Sequence, residues 1–288
     1  RSTLCRSSAA SDVYKRQLHD YAERLGRAEI GDLPNGTYCF TDHMDGLGED
    51  PQPILIQLAV TIHDSSISVD FTGSSPQVAG GVNTPLPFTK ASVYTALRSV
   101  MQSDIPNCHG FERVVTVTAP KGTVVNSVHP APCGARGITG YRVIDAMFGA
   151  LAQALPDRVT ADGMGGSTVP TFAGTHAGRA FVFTETVMGT WGASAEHDGQ
   201  VGVPHMGANQ ANVPVEMIEA SYPLRIRRYG IMPDTGGSGR YRGGNAFIRE
   251  YEYLGEQPGL MSLRSDKRTF RPHGLFGGAE GTCLLYTS

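Results

Sequence analysis

Residues 229–249 read YGIMPDTGGSGRYRGGNAFIR. Five glycines (Gly236, Gly237, Gly239, Gly243 and Gly244) fall within nine positions, Asp234 stands just before them, and Arg240 and Arg242 are set among them. Glycine tolerates positive φ and lets successive backbone N–H groups converge on one point. Arginine adds planar donor forks suited to a carboxylate or phosphate. Two readings stand. Either an anion-holding loop joins two strands, with Asp234, Gly236, Gly237, Arg240 and Arg242 as its candidate residues, or this is a long glycine hairpin with solvated arginines. The second needs no ligand and is the simpler. A nucleotide P-loop is excluded, because no Gly-Lys-Ser/Thr follows and no helix pattern opens after the glycines.

The neighbouring sequence is rich in strands, at residues 224–229, 246–254 and 260–264, with another at 181–187. Further toward the N-terminus, Ile54, Ile56, Leu58, Val60 and Ile62 alternate on one face. His63-Asp64-Ser65-Ser66 turns the chain, and Ile67, Val69 and Phe71 continue as the second arm of a hairpin. Val114, Val115 and Val117 predict a strand, with Val124 and Val125 as its hairpin partner. Helical spacing marks residues 18–30, 89–103 and 141–155, the last with Thr139 placed to cap it. The helix at 89–103 is lightly charged and is expected to bury one face. Residues 163–178 and 189–212 read as loops. The fold class is α+β, with mixed, mainly antiparallel sheets, a few packed helices and long glycine-rich loops.

Thirty-six glycines and eighteen prolines in 288 residues agree with that many turns and irregular connections. A net charge of −3 gives no reason to expect nucleic acid or an anionic membrane surface as partner. No apolar run approaches the ~20 residues that span a bilayer, and no secretory leader pattern is present. Residues 1–17 (RSTLCRSSAASDVYKRQ) and 283–288 (CLLYTS) resemble translated sequencing-adapter sequence. They are expected to lie outside the fold, the first as a disordered tail, which leaves residues 18–282 as an internal piece of a longer domain. Of the five cysteines, Cys39, Cys108 and Cys133 then remain, without CxxC spacing. That argues against a zinc module or a disulfide framework and fits a reducing, cytoplasmic compartment.

Asp70 ends a strand before a loop that carries Asn83, an arrangement that can bind a ligand but more often ties the loop down. Glu196-His197-Asp198, with His205, pairs imidazole and carboxylate but matches no metal spacing. Glu216 and Glu219 would share a face on a helix and could pair with Arg225, Arg227 or Arg228. No Gly-x-Ser-x-Gly elbow, His-Glu-x-x-His helix or dinucleotide fingerprint occurs.

Several blocks in order resemble the hydantoinase B/5-oxoprolinase family. They are the Asp-Thr-Gly-Gly-x-Gly-x-Tyr-Arg-Gly-Gly run from Asp234 to Gly244, residues 69–83 (VDFTGSSPQVAGGVN), and Asp104-Ile105-Pro106-Asn107. The helix with Arg142, Asp145 and Gln153, the Val213-Pro214-Val215-Glu216 segment, and Pro272-His273-Gly274-Leu275-Phe276-Gly277-Gly278 follow. The resemblance covers residues 18–282 and implies the B-type subunit of an ATP-dependent amidohydrolase that cleaves a cyclic amide such as 5-oxoproline, a hydantoin or a related lactam. The α subunit of an acetone-type carboxylase, or a non-catalytic assembly module, are the alternatives. It implies ATP held by an A-type partner subunit or fused domain, and a hetero-oligomer. It also implies a divalent metal whose ligands lie in an N-terminal half outside this stretch, so no metal ligand is assigned here. Asp70, Asn83, Asp234, Gly236, Gly237, Arg240 and Arg242 are the residues expected to bind substrate or an anion, and no catalytic residue is assigned.

Overall fold

The computed structural model describes residues 2–48, 50–164 and 168–282. The expected tail at 283–288 lies outside the described residues. In chain order come α1 (Ser2–Gly31), β1 (Gly36–Met44), β2 (Ile54–His63), β3 (Ser66–Asp70), α2 (Leu86–Val100), α3 (His109–Glu112), β4 (Val115–Thr118) and α4 (Arg136–Leu151). They are followed by β5 (Val169–His176), β6 (Arg179–Thr184), β7 (Gly189–Thr190), β8 (Val201–Val203), α5 (Val215–Ser221), β9 (Leu224–Ile231), β10 (Phe247–Tyr253) and β11 (Leu260–Arg264). Helices and mainly antiparallel sheet make this an α+β fold.

The first four strands form one sheet in the order β1-β2-β3-β4. The alternation along β2 does what it predicts: Ile54, Ile56, Leu58, Val60 and Ile62 are all buried. α4 packs across β1 and β2 and against α2, so helix and sheet enclose the main core. α2 sinks Val93, Ala96, Leu97 and Val100 into it, as its low charge suggested. A buried aliphatic side chain is worth roughly 1.5–3 kcal/mol, so this core supplies most of the drive to fold. A second, smaller core gathers Phe172, Phe183, Ile218 and Leu224 where β5, β6, α5 and β9 meet.

Four expectations are corrected. Residues 2–17 are the opening of α1 rather than a disordered tail. They contain neither glycine nor proline, and extending an existing helix avoids the cost of nucleation. β4 pairs in parallel with β3 (Val69 opposite Val117) instead of with residues 124–125. Val124 and Val125 are buried all the same, in a short irregular segment whose Thr123 bridges to Pro76. Thr139 lies inside α4, where its hydroxyl donates to the Val82 carbonyl, so it ties helix to loop and caps nothing. The expected loop at 163–178 contains β5, the central strand of the β11-β5-β6 sheet. Pro170 and Gly174 disguised it, since both are normally scarce in central strands.

Candidate active-site cleft

β9 and β10 form a two-stranded antiparallel hairpin, so residues 229–249 are indeed two strands and a loop. Positive φ is not what its glycines supply. None of its five glycines has positive φ. Close approach explains them instead: a Cβ on Gly236 would strike the Gly243 carbonyl, one on Gly237 the Ala279 carbonyl, and one on Gly244 the Gln200 carbonyl. Three stretches of main chain cross here with no room for side chains. Four of the N–H groups are spent on one another and on neighbours. Gly243 donates to the Gly237 carbonyl (2.9 Å), Gly244 to that of Trp191 (3.0 Å), Gly236 to Asn245 Oδ1 (3.3 Å) and Arg242 to Asp198 Oδ1 (2.8 Å).

The candidate residues are only partly brought together. Gly237 and Arg240 line a cleft, and the Arg240 guanidinium lies over the Tyr241 ring at 5.5 Å. Arg242 is exposed and outside the lining. Asp234 is an exposed turn residue with φ 58°. Asp70 accepts from Thr72 N, Thr72 Oγ1 and Thr118 Oγ1, an Asx-type tie at the end of β3. Asn83 is fully buried, donating to the carbonyls of Val78, Gly80 and Pro132 and accepting from Val78 N. Both hold loops in place. Arg225 and Arg227 pair with Glu252 on β10 rather than with Glu216 or Glu219: the register sets Arg225 opposite Glu252, and Arg227, at a register shift, reaches the same carboxylate. Glu219 accepts from Ile226 N instead.

The cleft has a volume of about 950 Å3. Phe172, Trp191, Phe247, Tyr251, Met261 and Leu275 form much of an apolar wall, and Asp162 and His273 belong to the same wall. Behind those two lies a buried ionic cluster. Arg142, 1% exposed, donates Nε to Asp266 Oδ2 (2.7 Å), Nη1 to Asp42 Oδ2 (3.2 Å) and Nη2 to the Phe270 carbonyl (3.1 Å). Lys267 Nζ donates to Asp145 Oδ2 (2.7 Å), to Asp162 Oδ1 and to the Gly163 carbonyl (2.6 Å). His205 Nε2 meets Asp145 Oδ1 at 3.2 Å. Four carboxylates thus share two permanent cations and two imidazoles.

Burial alone would raise the pKa of Asp162, but Lys267, His273 and Arg142 outweigh it and hold the carboxyl well below its usual range. For Lys267 burial opposes charge, yet Asp145 and Asp162 raise its pKa above the ordinary lysine value. Burial works against His273 too, and the contact with Asp162 and its charge more than compensate, so its pKa is raised. Asp42 is the exception: its desolvation exceeds the pull of Arg142, and its pKa goes up. Asp162 Oδ2 is fully buried and makes no hydrogen bond, its nearest cationic neighbours being His273 Nδ1 at 3.4 Å and Arg142 Nη1 at 3.7 Å.

Among the described residues, Asp42, Asp162 and His273 are the one group close enough to share a metal ion. A divalent cation does not fit there. Arg142 and Lys267 already neutralise those carboxylates at contact distance, and a third cation would meet both at once.

Reading the sequence alone missed this cluster, although its signal is present. Arg142 and Asp145 interrupt the apolar face of α4, next to Val143, Ile144 and Met147. Asp42 falls in step with the buried Met44 on β1. Charges on a buried face must be paired. What the chain order cannot show is that their partners lie over a hundred residues away, at Asp266 and Lys267.

An α+β domain whose ionic core opens on a ligand-sized apolar cleft is the class that fold and site define. The chain belongs to the hydantoinase B/oxoprolinase family, whose model matches residues 7–287. That match takes in most of the 1–17 and 283–288 stretches. The B-type subunit of a D-/L-hydantoinase from Pseudomonas sp. (strain NS671) is 34% identical over 276 residues, covering 92% of this chain and 46% of its own length. 5-Oxoprolinase 1 of Arabidopsis thaliana is 31% identical over 279 residues, covering 94% of this chain and 20% of its own length. The chain thus spans about half the hydantoinase polypeptide and about a fifth of the oxoprolinase. Among solved structures, the ATP-dependent caprolactamase from Pseudomonas jessenii superposes with a TM-score of 0.71 at 25% identity, over 87% of this chain and 53% of that one. An acetone carboxylase superposes with a TM-score of 0.71 at 18% identity, over 83% of this chain and 35% of that one, which is a likeness of fold.

Proposed function

We propose that this chain is part of the B-type subunit of an ATP-dependent enzyme that opens a cyclic amide: 5-oxoproline, a hydantoin, N-methylhydantoin or a related lactam. The observation that carries the reading is the cleft. Its volume of about 950 Å3 would take a substituted small ring against an apolar wall, with His273 presented at a polar corner and Asp162 buried behind it. Resonance makes an amide carbon a poor electrophile. An A-type partner subunit or fused domain would bind ATP and phosphorylate the amide oxygen, giving carbon a leaving group. The assembly would then be a cytoplasmic hetero-oligomer. No helix among the described residues is long and apolar enough to cross a membrane.

The remaining length of the relatives would supply the rest of the site, including divalent-metal ligands, so the present chain by itself should not turn over substrate. In this chain Arg240, at the cleft, takes the anion-holding role, with Gly237 beside it. The second reading, a ketone carboxylase α subunit, is supported by likeness of fold to acetone carboxylase. The third, an assembly module without chemistry, is opposed by the buried charge at the cleft wall.

The test is to assemble a full-length B-type subunit carrying these residues with its A-type partner. ATP-dependent ring opening of 5-oxoproline, hydantoin and caprolactam is then compared with bicarbonate-dependent carboxylation of acetone. Ring opening is expected. Carboxylation without ring opening would replace the first reading by the second, and loss of neither ATP nor substrate would leave the third.

A further inference from the structure

We propose that His273 is the proton donor to the ring nitrogen that leaves when the amide opens, and that Asp162 is the residue that positions it. The proposal rests on the cyclic-amide reading above.

Of the titratable side chains that line the cleft, His273 is the one placed to exchange a proton near neutrality. Asp162 is buried and held ionised by Lys267, so it has no proton to give. Tyr251 spends its hydroxyl proton on Glu185 Oε2 at 2.7 Å. Arg249 lies beneath the Tyr229 ring, 4.5 Å from its centroid, and keeps its charge. His273 remains 22% exposed. Its Nδ1 faces Asp162 Oδ2, its carbonyl accepts from Asp162 N at 3.2 Å, and its ring packs on Phe40 with centroids 5.0 Å apart. Two contacts thus fix the ring and a third its main chain, and Nε2 has no partner among the described residues.

The charges around it come from every element packed against it. Asp42 is on β1, Arg142 and Asp145 on α4, Asp162 follows α4, and Lys267 precedes the histidine itself. Asp162 and Asp42 favour the imidazolium and Lys267 opposes it, with Asp162 dominant.

Water adds to the amide carbon activated at oxygen, forming a C–O bond and releasing a proton. When the C–N bond breaks, its electron pair passes to nitrogen, which must be protonated to leave as a stable amine. The imidazolium supplies that proton from Nε2 and is left neutral, the proton released by water restores it, and the acyl phosphate left on carbon is hydrolysed by a second water to carboxylate and inorganic phosphate. A donor of this kind is worth about 10²–10⁴ in rate.

The need for a donor grows with the basicity of the leaving nitrogen, and this gives the test. A plain lactam releases a strongly basic alkylamine; a hydantoin releases a nitrogen flanked by two carbonyls, which needs little help. In the assembled full-length enzyme, His273→Gln is expected to lower kcat on caprolactam by about 10²–10⁴-fold. The loss on hydantoin should be at least ten times smaller (order of magnitude from the same range). KM should stay nearly constant, and the alkaline limb of the kcat–pH profile should vanish. His273→Ala with imidazole in the buffer is the companion variant, and partial recovery of caprolactam turnover is expected. Equal losses on both substrates, an unchanged pH profile and no imidazole rescue would overturn the proposal and leave the cyclic-amide reading intact. No ring opening by the unmodified enzyme would overturn both.

Discussion

Arg142 shows how strongly one residue can be determined by its surroundings. It is 1% exposed and serves Asp42, Asp266 and the Phe270 carbonyl at once. Removing one partner of a buried ion pair leaves the other charge uncompensated, at a cost of about 3–5 kcal/mol. Arg142→Ala should therefore destabilise the protein by about that amount in urea unfolding, far more than Arg242→Ala, which removes an exposed side chain. The two loop arginines should also differ in function: Arg240→Ala is expected to raise KM for an acidic substrate several-fold in the assembled enzyme, whereas Arg242→Ala leaves KM unchanged. A second prediction concerns pH. The pKa of His273 is raised above its ordinary 6.5, so its stabilising contribution is complete below 6.5 and is withdrawn as pH climbs through the folded value. Asp162 has the opposite sign: its contribution is present above the ordinary carboxylate value of 3.8 and is lost as pH falls through the depressed one. Melting temperature should fall as pH rises above 6.5, and that fall should be shallower in His273→Gln; an identical pH dependence in the variant would dismiss the His273–Asp162 contact as a source of stability.

At the level of elements, legibility followed periodicity. β2 and the face of α2 could be read directly, because a period of two or of 3.6 leaves one solution for which side is buried. β5 could not, since Pro170 and Gly174 send the signals of a loop. The parallel pairing of β4 was hidden for another reason: Val115 and Val117 declare a strand, but not which strand it joins across the intervening α2. The glycine loop was legible as a hairpin, but not the reason for its glycines, because crowding of main chains and freedom of φ both select glycine. α4 offers the element-scale test. Gly149 is in its interior, where alanine normally gains about 1 kcal/mol in helix propensity. Here a Cβ would lie 2.5 Å from the Phe40 ring, the ring that packs on His273. Overpacking of this kind costs about 1–3 kcal/mol, which exceeds the gain. Gly149→Ala should thus lower the melting temperature, and Phe40→Leu in the same chain should recover part of the loss.

The whole molecule is built around two apolar cores of unequal size, with the cleft flanked by the smaller one and the ionic cluster set in the larger. That division makes chemical sense. A well-buried cluster is rigid, and the adjoining cleft is bounded by sheets that leave apolar surface uncovered. Leu260 is 71% exposed, Met261 54% and Phe276 73%, and β11, which carries the first two, is an outer strand of its sheet. Neighbouring residues on a strand point to opposite faces, so both faces of β11 present hydrocarbon, and its outer edge leaves backbone N–H and C=O groups unpaired. Such an edge pairs readily with a copy of itself. The chain alone should accordingly self-associate at micromolar concentration, visible as a rising weight-average mass in light scattering. Leu260→Lys combined with Met261→Lys should restore a monomer, because an edge lysine must be desolvated before strands can pair. The change removes almost no buried area, so melting temperature should hold within about 1 °C, given that surface substitutions lie within ±0.5 kcal/mol. A mass that still rises in the double variant would place the sticky surface elsewhere, at Phe276 and the mouth of the cleft. A mass that stays monomeric in the unmodified chain would mean that the twist of β11 already protects its edge.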